Sequence, residues 1–243
     1  MKEMKKSNVV QYVLIGLLIV AAFLIGSLWT KVGVLETKGG TGSGIAVKDT
    51  GTPAAAGETA AVVDVAAMAK DAGLNADDFQ TCTKSKEAAD LVAADEATGA
   101  TAGVQGTPGA FIVDTQTGKG VEVPGAVPYT NLKTLMDQVI AGTNLTALKV
   151  TAITPSDHVR GDKLARYALI EYSDYDCPYC KQFSTTITKL LTDYSGKVKW
   201  AYRQMPLDQL HPTTRVKSIA AMCAAKLGGD DAFWKFTDTF LKN

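Results

Sequence analysis

The sequence predicts an α/β domain carried behind an N-terminal membrane anchor. Three stretches carry that reading. "YALIEYSD" is a largely apolar strand that runs straight into "CPYCKQFSTTITKLLTDYSG", a helix, and then into "KVKWAYRQM", a second strand. "GAFIVDTQTGKGVEVPG" reads as two short strands around a glycine turn, followed by a helix over "VPYTNLKTLMDQVIAG". Residues 9–29 run without a charge behind Lys2, Lys5 and Lys6.

A helix over residues 9–29 is roughly 31 Å long, close to the ~30 Å hydrocarbon core of a bilayer. A buried core helix and a cleaved signal peptide are the rival readings. The run is longer than a signal peptide's apolar region, and "SLWTKVG" offers no small-residue cleavage site. The expectation is a single-pass signal-anchor in the cell membrane, with residues 1–8 cytoplasmic and the rest extracytoplasmic. Disulfides persist on that side. Residues 30–60, rich in Gly, Thr and Ala, read as a flexible tether. Residues 61–243 form the soluble domain.

Within it the sequence is helical to about residue 102. "AVVDVAAMAKDAG" spaces Val63, Ala66, Ala67 and Met68 near one face. "NADDFQTC" opens on a capping Asn75 with acidic residues in the first turn. "KEAADLVAADEATGATAG" continues as an alanine-rich helix that loosens at its glycines. After the strand pair, the helix near 129–141 places Leu132, Leu135, Val139 and Ile140 on one face and stops at Gly142. From 147 the chain starts again, with "ALKVTAI" as a candidate strand. The final segments, "PTTRVKSIAAMCAAKLGG" and "DDAFWKFTDTFLKN", read as helices.

Formal net charge is zero over 243 residues, so nothing in the charge supports a nucleic-acid partner. The four cysteines are too few for a disulfide-built miniprotein but enough for one reactive and one structural pair. Cys177 and Cys180 flank Pro178 and Tyr179. Pro178 suits the first helical position, which puts Cys177 at the N-cap. Free backbone N–H groups and the helix dipole then favour its thiolate, while Asp174 and Asp176 oppose it. Cys180, one turn on, is placed to attack a mixed disulfide formed at Cys177. A zinc site needs more ligands than lone Cys82 and Cys223 or the dispersed His158 and His211 supply, and no metal is expected. An inert structural bridge between Cys177 and Cys180 is the remaining alternative.

"HVRGDKLARYALIEYSDYDCPYCKQF", "WAYRQMPLDQLHP" and "AAMCAAKLGGDDAFWKFTDTF" resemble the DsbA-like thiol–disulfide oxidoreductases of the thioredoxin superfamily. "GVQGTPGAFIVD" and "VPGAVPYTNLKTLMDQVI" resemble that family's closing half. The resemblance implies a thioredoxin-like fold with an inserted helical subdomain. It also implies a cis-proline at Pro108, after Thr107, beside Cys177. Glu171 matches a buried acid that serves proton transfer. Tyr179 stands where the strongly oxidising members carry a histidine.

The order of the halves departs from the family. Residues 61–142 match its C-terminal half and 150–243 its N-terminal half, as in a circular permutation. The alternative is that the halves belong to two incomplete domains. Some members carry a second, structural disulfide, and in the family's order the helices of Cys82 and Cys223 would be neighbours, so a Cys82–Cys223 bridge is expected.

By this resemblance the chain is a disulfide oxidoreductase acting on unfolded or folding secreted proteins. A membrane redox partner would reset its cysteines, and no cofactor beyond the Cys177–Cys180 disulfide is needed. A reductase or isomerase of the same fold is the second reading. A non-catalytic thioredoxin-like binding module is the third.

Overall fold

The structure, a computed structural model, describes residues 64–242. The expected anchor at 9–29 and tether at 30–60 lie outside the described residues. Among the described residues no helix is long and apolar enough to cross a membrane.

Three helices come first: α1 (Val65–Asp71), α2 (Ala76–Thr83) and α3 (Lys86–Ala102). Each starts on a side-chain cap. Asp64 accepts from the amides of Ala66 and Ala67, Asn75 from those of Asp77 and Asp78, and Ser85 from that of Ala88. The buried face of α1 differs from the sequence expectation. Ala66 and Ala67 are exposed, and Ala69 is buried with Val65, Met68 and Ala72 packed beside the core. Alanines satisfy either face, so the stripe follows Val65 and Met68, the larger side chains, at i and i+3.

Helix α3 does not loosen at Gly99. It passes through Gly99 and ends at Gly103, which takes the left-handed conformation at φ 87°. Gly99 permits close approach to the sheet, because a Cβ there would stand 2.9 Å from the Tyr172 ring. The Tyr172 hydroxyl donates to Thr98 Oγ1 at 3.0 Å across the same contact.

Strands β1 (Gly109–Asp114) and β2 (Lys119–Val123) form the expected hairpin. Helix α4 (Tyr129–Ala141) buries Leu132, Met136 and Val139 and ends at Gly142. The candidate strand at 147–153 is reduced to β3, Thr146–Ala147, paired to β2. The rest of that segment crosses the sheet instead. Leu148, Val150 and Ile153 pack against the face formed by Phe111, Val113, Ala168 and Ile170. Buried Arg203 clamps this strap, donating to Thr151 Oγ1 at 2.7 Å, the Ala152 carbonyl at 3.2 Å and Asp157 Oδ1 at 2.7 Å.

Strand β4 (His158–Gly161) was not anticipated from the pattern; it precedes β5 (Tyr167–Ser173), α5 (Pro178–Asp193), β6 (Val198–Gln204) and α6 (Thr214–Lys242). The last helix is broken at Gly229, with φ 70° and ψ −167°, in the "GG" between the two expected helices. The sheet order is β3-β2-β1-β5-β6-β4. Strands β5 and β6 run parallel, joined by α5, and every other pairing is antiparallel. The β1–β5 pairing joins the strand–strand–helix half to the strand–helix–strand half within one chain. That single sheet sets aside the reading of two unconnected fragments.

One face of the sheet supports α4, α5 and the second part of α6. There Trp200 packs on Trp234 at 5.0 Å between ring centres, and Tyr175 stacks on Tyr202 at 5.2 Å. Helices α1, α2 and α3 pack with α6, so the helical part is assembled from segments on both sides of the sheet in sequence.

Candidate active site

Strand β5 ends at Ser173, and the chain turns through Asp174, Tyr175 and Asp176 into α5. Cys177 is the N-cap residue, in an extended conformation, and Pro178 is the first helical residue. A proline here sacrifices no helical hydrogen bond. Tyr179 is 63% exposed beside the pair, while Cys180 is fully buried on the inner face of the first turn. Both cysteines are free thiols.

The register of β1 against β5 brings the other half to this turn. Gly109 pairs with Tyr172, so the residues just before β1 arrive beside residues 174–177. There the Thr107–Pro108 peptide bond is cis, and the Cys177 thiol donates to the Thr107 carbonyl at 3.4 Å. The residue before Pro108 thus meets Cys177 within one chain.

The Cys177 thiol is pulled down to about 5. The largest cause is the Cys180 thiol hydrogen-bonding to its anion, against the opposing effect of burial. The Thr107 hydroxyl and the backbone N–H groups of Cys180 and Tyr179 add to it, as a helix N-terminus does for an anion. Cys180 moves the opposite way. Burial, then the hydrogen bond it gives to Cys177, then the charge of Glu171 hold it strongly protonated. One thiol is therefore poised as an anion and the other as its donor.

The two aspartates do not dominate. Asp174 is fully buried and saturated: it accepts from the amides of Asp176 and Leu207, from Thr214 Oγ1, and bonds His211 Nδ1 at 3.0 Å. Asp176 pairs with Lys217 and accepts from Thr213 Oγ1 at 2.6 Å. Their negative charge is spent on tying the turn to α6 and the loop before it. That loop's role was not legible in the sequence, because Leu207, His211 and Thr214 are ordinary residues until the fold brings them to Asp174.

Glu171 lies beneath the pair, fully buried. Its Oε2 accepts from the Trp200 indole N–H at 3.0 Å, and its Oε1 has no partner. Burial pushes its carboxyl up to about 8, with Ser173 and Trp200 pulling the other way.

Cys82 and Cys223 form a disulfide, with Cα atoms 5.8 Å apart across 141 positions of sequence. It joins α2 to α6 in the helical part, within the ordinary span of such a bridge.

A family model described as "DSBA-like thioredoxin domain" matches residues 54–137, and one described as "Thioredoxin" matches residues 153–243. This chain belongs to the DsbA-like proteins of the thioredoxin superfamily. The family's general activity is thiol–disulfide exchange. Curated relatives of the DsbA-like chain include the Na(+)/H(+) antiporter NhaA 3 of Salinispora tropica, 40% identical over 85 residues. That match spans 35% of this chain and 12% of the antiporter. The Na(+)/H(+) antiporter NhaA 1 of Salinispora arenicola is 39% identical over 85 residues, again 35% of this chain and 12% of the relative. The chain therefore spans about 12% of the length of the curated relatives it matches.

Proposed function

We propose that the protein is a membrane-anchored, extracytoplasmic oxidoreductase that passes the Cys177–Cys180 disulfide to folding secreted proteins. The observation that carries this reading is the meeting, across two halves of the chain, of the Cys177 sulfur with the Thr107 carbonyl beside cis-Pro108. In that arrangement an extended peptide adding its backbone beside Thr107 would bring its sulfur to the more acidic thiol. The uncharged run at 9–29 supports the anchor.

A substrate thiolate attacks Cys177 Sγ of the oxidised pair. The Cys177–Cys180 bond breaks, and Cys180 leaves as a thiolate that takes a proton held by Glu171. A second substrate thiolate then attacks the substrate sulfur of the mixed disulfide. The substrate leaves oxidised, and Cys177 departs as a stabilised thiolate. The protein ends with two reduced cysteines, which a membrane redox partner reoxidises. No cofactor beyond the cysteine pair enters this scheme. We further propose that the two halves stand in circularly permuted order, with the Cys82–Cys223 bridge tying together the helices nearest the new ends.

The carboxyl of Glu171 and the Tyr179 side chain leave the direction of exchange to the potential, and a reductase or isomerase would use the same residues. The reading is tested by incubating the oxidised protein with a reduced, unfolded enzyme that needs disulfides for activity. Recovery of that enzyme's activity, abolished by Cys177→Ser, supports it. Recovery that survives Cys177→Ser overturns it.

A further inference from the structure

Beneath the cysteine pair lies a group of buried polar atoms, of which the exchange scheme uses only Glu171. Glu171 and Ser173 are two residues apart on β5, so their side chains share one face of the sheet. Strand β6 runs alongside in register, Tyr202 opposite Glu171 and Gln204 opposite Ser173. Ser173 and Glu171 are fully buried, as is Cys180, and Tyr202 is 1% exposed. Glu171 Oε1, Ser173 Oγ and Tyr202 Oη each lack a closed hydrogen bond. A buried hydroxyl or carboxyl oxygen without a partner is costly, and natural interiors seldom keep several together.

Glu171, Tyr202 and the Cys180 sulfur share one neighbour. The Ser173 hydroxyl lies close enough to Glu171, to the Cys180 sulfur and to the Tyr202 phenol to stabilise the anion of each. Ser173 is thus the hydroxyl common to the acid and to the inner thiol. A hydroxyl both donates and accepts, so it can pass one proton on while taking another. Hydrogen bonds that act in catalysis are often long at rest and close as the reaction proceeds.

We propose that Ser173 is the proton relay between Cys180 and Glu171. The proposal rests on the reading of Cys180 as the resolving thiol. When Cys180 attacks a mixed disulfide at Cys177, its thiol proton passes to Ser173 Oγ. The Ser173 hydroxyl proton passes to the Glu171 carboxylate in the same event. Cys180 becomes a thiolate, Glu171 becomes a neutral acid, and the serine is unchanged. When Cys180 is instead the leaving group, both protons move the other way. Tyr202, opposite Glu171 on β6, borders the same hydroxyl.

The test uses oxidised glutathione as the oxidant and the full chain in reduced form. Cys177 attacks the glutathione disulfide, which gives a Cys177–glutathione mixed disulfide and free glutathione thiolate. Cys180 then displaces the second glutathione and closes the Cys177–Cys180 bond. Rapid acid quenching and mass measurement follow the mixed disulfide from pH 5 to 9. Ser173→Ala is expected to slow the second step by about a hundredfold, the lower end of positioned proton transfer, so the mixed disulfide accumulates. The first step and the Cys177 thiolate absorbance titration are expected to match wild type. Ser173→Thr, which keeps the hydroxyl, is expected to restore the second step. Ser173→Ala removes an unpartnered oxygen, so folding is preserved. A second step at the wild-type rate across that pH range in Ser173→Ala overturns the relay. Glutathione exchange does not depend on a protein substrate. A wild type that closes its disulfide with glutathione yet oxidises no unfolded protein refutes the substrate reading and leaves the relay standing.

Discussion

Cys177 and Cys180 stand on one turn of α5, while Cys82 and Cys223 stand 141 positions apart on α2 and α6. Both pairs are buried. Their states differ: Cys82 and Cys223 are joined, while Cys177 and Cys180 are free thiols. Around Cys177 are hydrogen-bond donors: the Cys180 thiol, the Thr107 hydroxyl and two backbone N–H groups. The apolar cluster that holds Phe79, Val92, Met222 and Ala224 takes in all four cysteines. Burial alone therefore does not decide what a cysteine does. Donors that stabilise a thiolate make a pair exchangeable.

The largest expected effect separates the pairs by function. Cys177→Ser should abolish disulfide transfer, and Cys180→Ser should trap mixed disulfides with substrate. The double variant Cys82→Ser, Cys223→Ser should transfer disulfides at close to the wild-type rate at a temperature where it is folded. Loss of transfer in that double variant would break the comparison.

Stability should divide the other way. Removing the Cys82–Cys223 bridge frees a long loop in the unfolded chain, and denaturant unfolding should show a loss of about 2–5 kcal/mol. Replacing Cys177 and Cys180 by serine should leave the bridge's contribution intact. Equal losses from both replacements would contradict the assignment of a structural role to one pair alone.

A third expectation sharpens the account of Cys177. Its thiol titrates near 5, below the ordinary value of 9. A folded-state pKa that is depressed stabilises the reduced form fully above the ordinary value, and that gain is lost as pH falls through 5. Two protons accompany reduction below that point and one above it. The potential of the pair should then change by about 59 mV per pH unit below pH 5 and about 30 mV above it. A single slope from pH 4 to 7 would mean that Cys177 is an ordinary thiol.

The smallest effect concerns Glu171, whose carboxyl rises from 4.5 to about 8. The folded chain keeps a proton that the unfolded chain releases, so stability should fall as pH rises from 4.5 to 8. Glu171→Gln should remove that part of the slope, read by thermal melting at pH 5 and pH 8. A slope unchanged by the substitution would place the carboxyl in a wetter site.

What was legible in the sequence was local. The Asn75 cap, the Leu132–Val139 face, the glycine turn of the β1–β2 hairpin and the Cys177 N-cap each depend on residues within one or two turns of each other. The family resemblance added the long-range pairs, Pro108 with Cys177 and Cys82 with Cys223. Other features stayed hidden because they depend on register. Ser173 meets Glu171 and Tyr202 only when β5 and β6 pair as they do, and a shift of one residue would turn Ser173 to the other face. The strap at 148–153 looked like a strand because apolar residues alternate in it. Arg203 and Tyr172, distant in sequence, hold it across the sheet instead. The face of α1 is ambiguous in the sequence because its three alanines, Ala66, Ala67 and Ala69, carry no directional preference.

The most direct measurement is a glutathione redox titration of the protein, quenched with a thiol-alkylating reagent and read cysteine by cysteine. Thiols near 3.5 and near 7 mark strongly oxidising and reducing members of this superfamily, and Cys177 near 5 falls between them. With Tyr179 supplying no charged donor, the midpoint of the Cys177–Cys180 pair is expected at roughly −180 to −230 mV. Cys82 and Cys223 are expected to remain unmodified throughout. A Cys177–Cys180 pair that shows no transition in glutathione buffers, or a Cys82–Cys223 bridge that opens before it, would contradict the assignment of the redox centre.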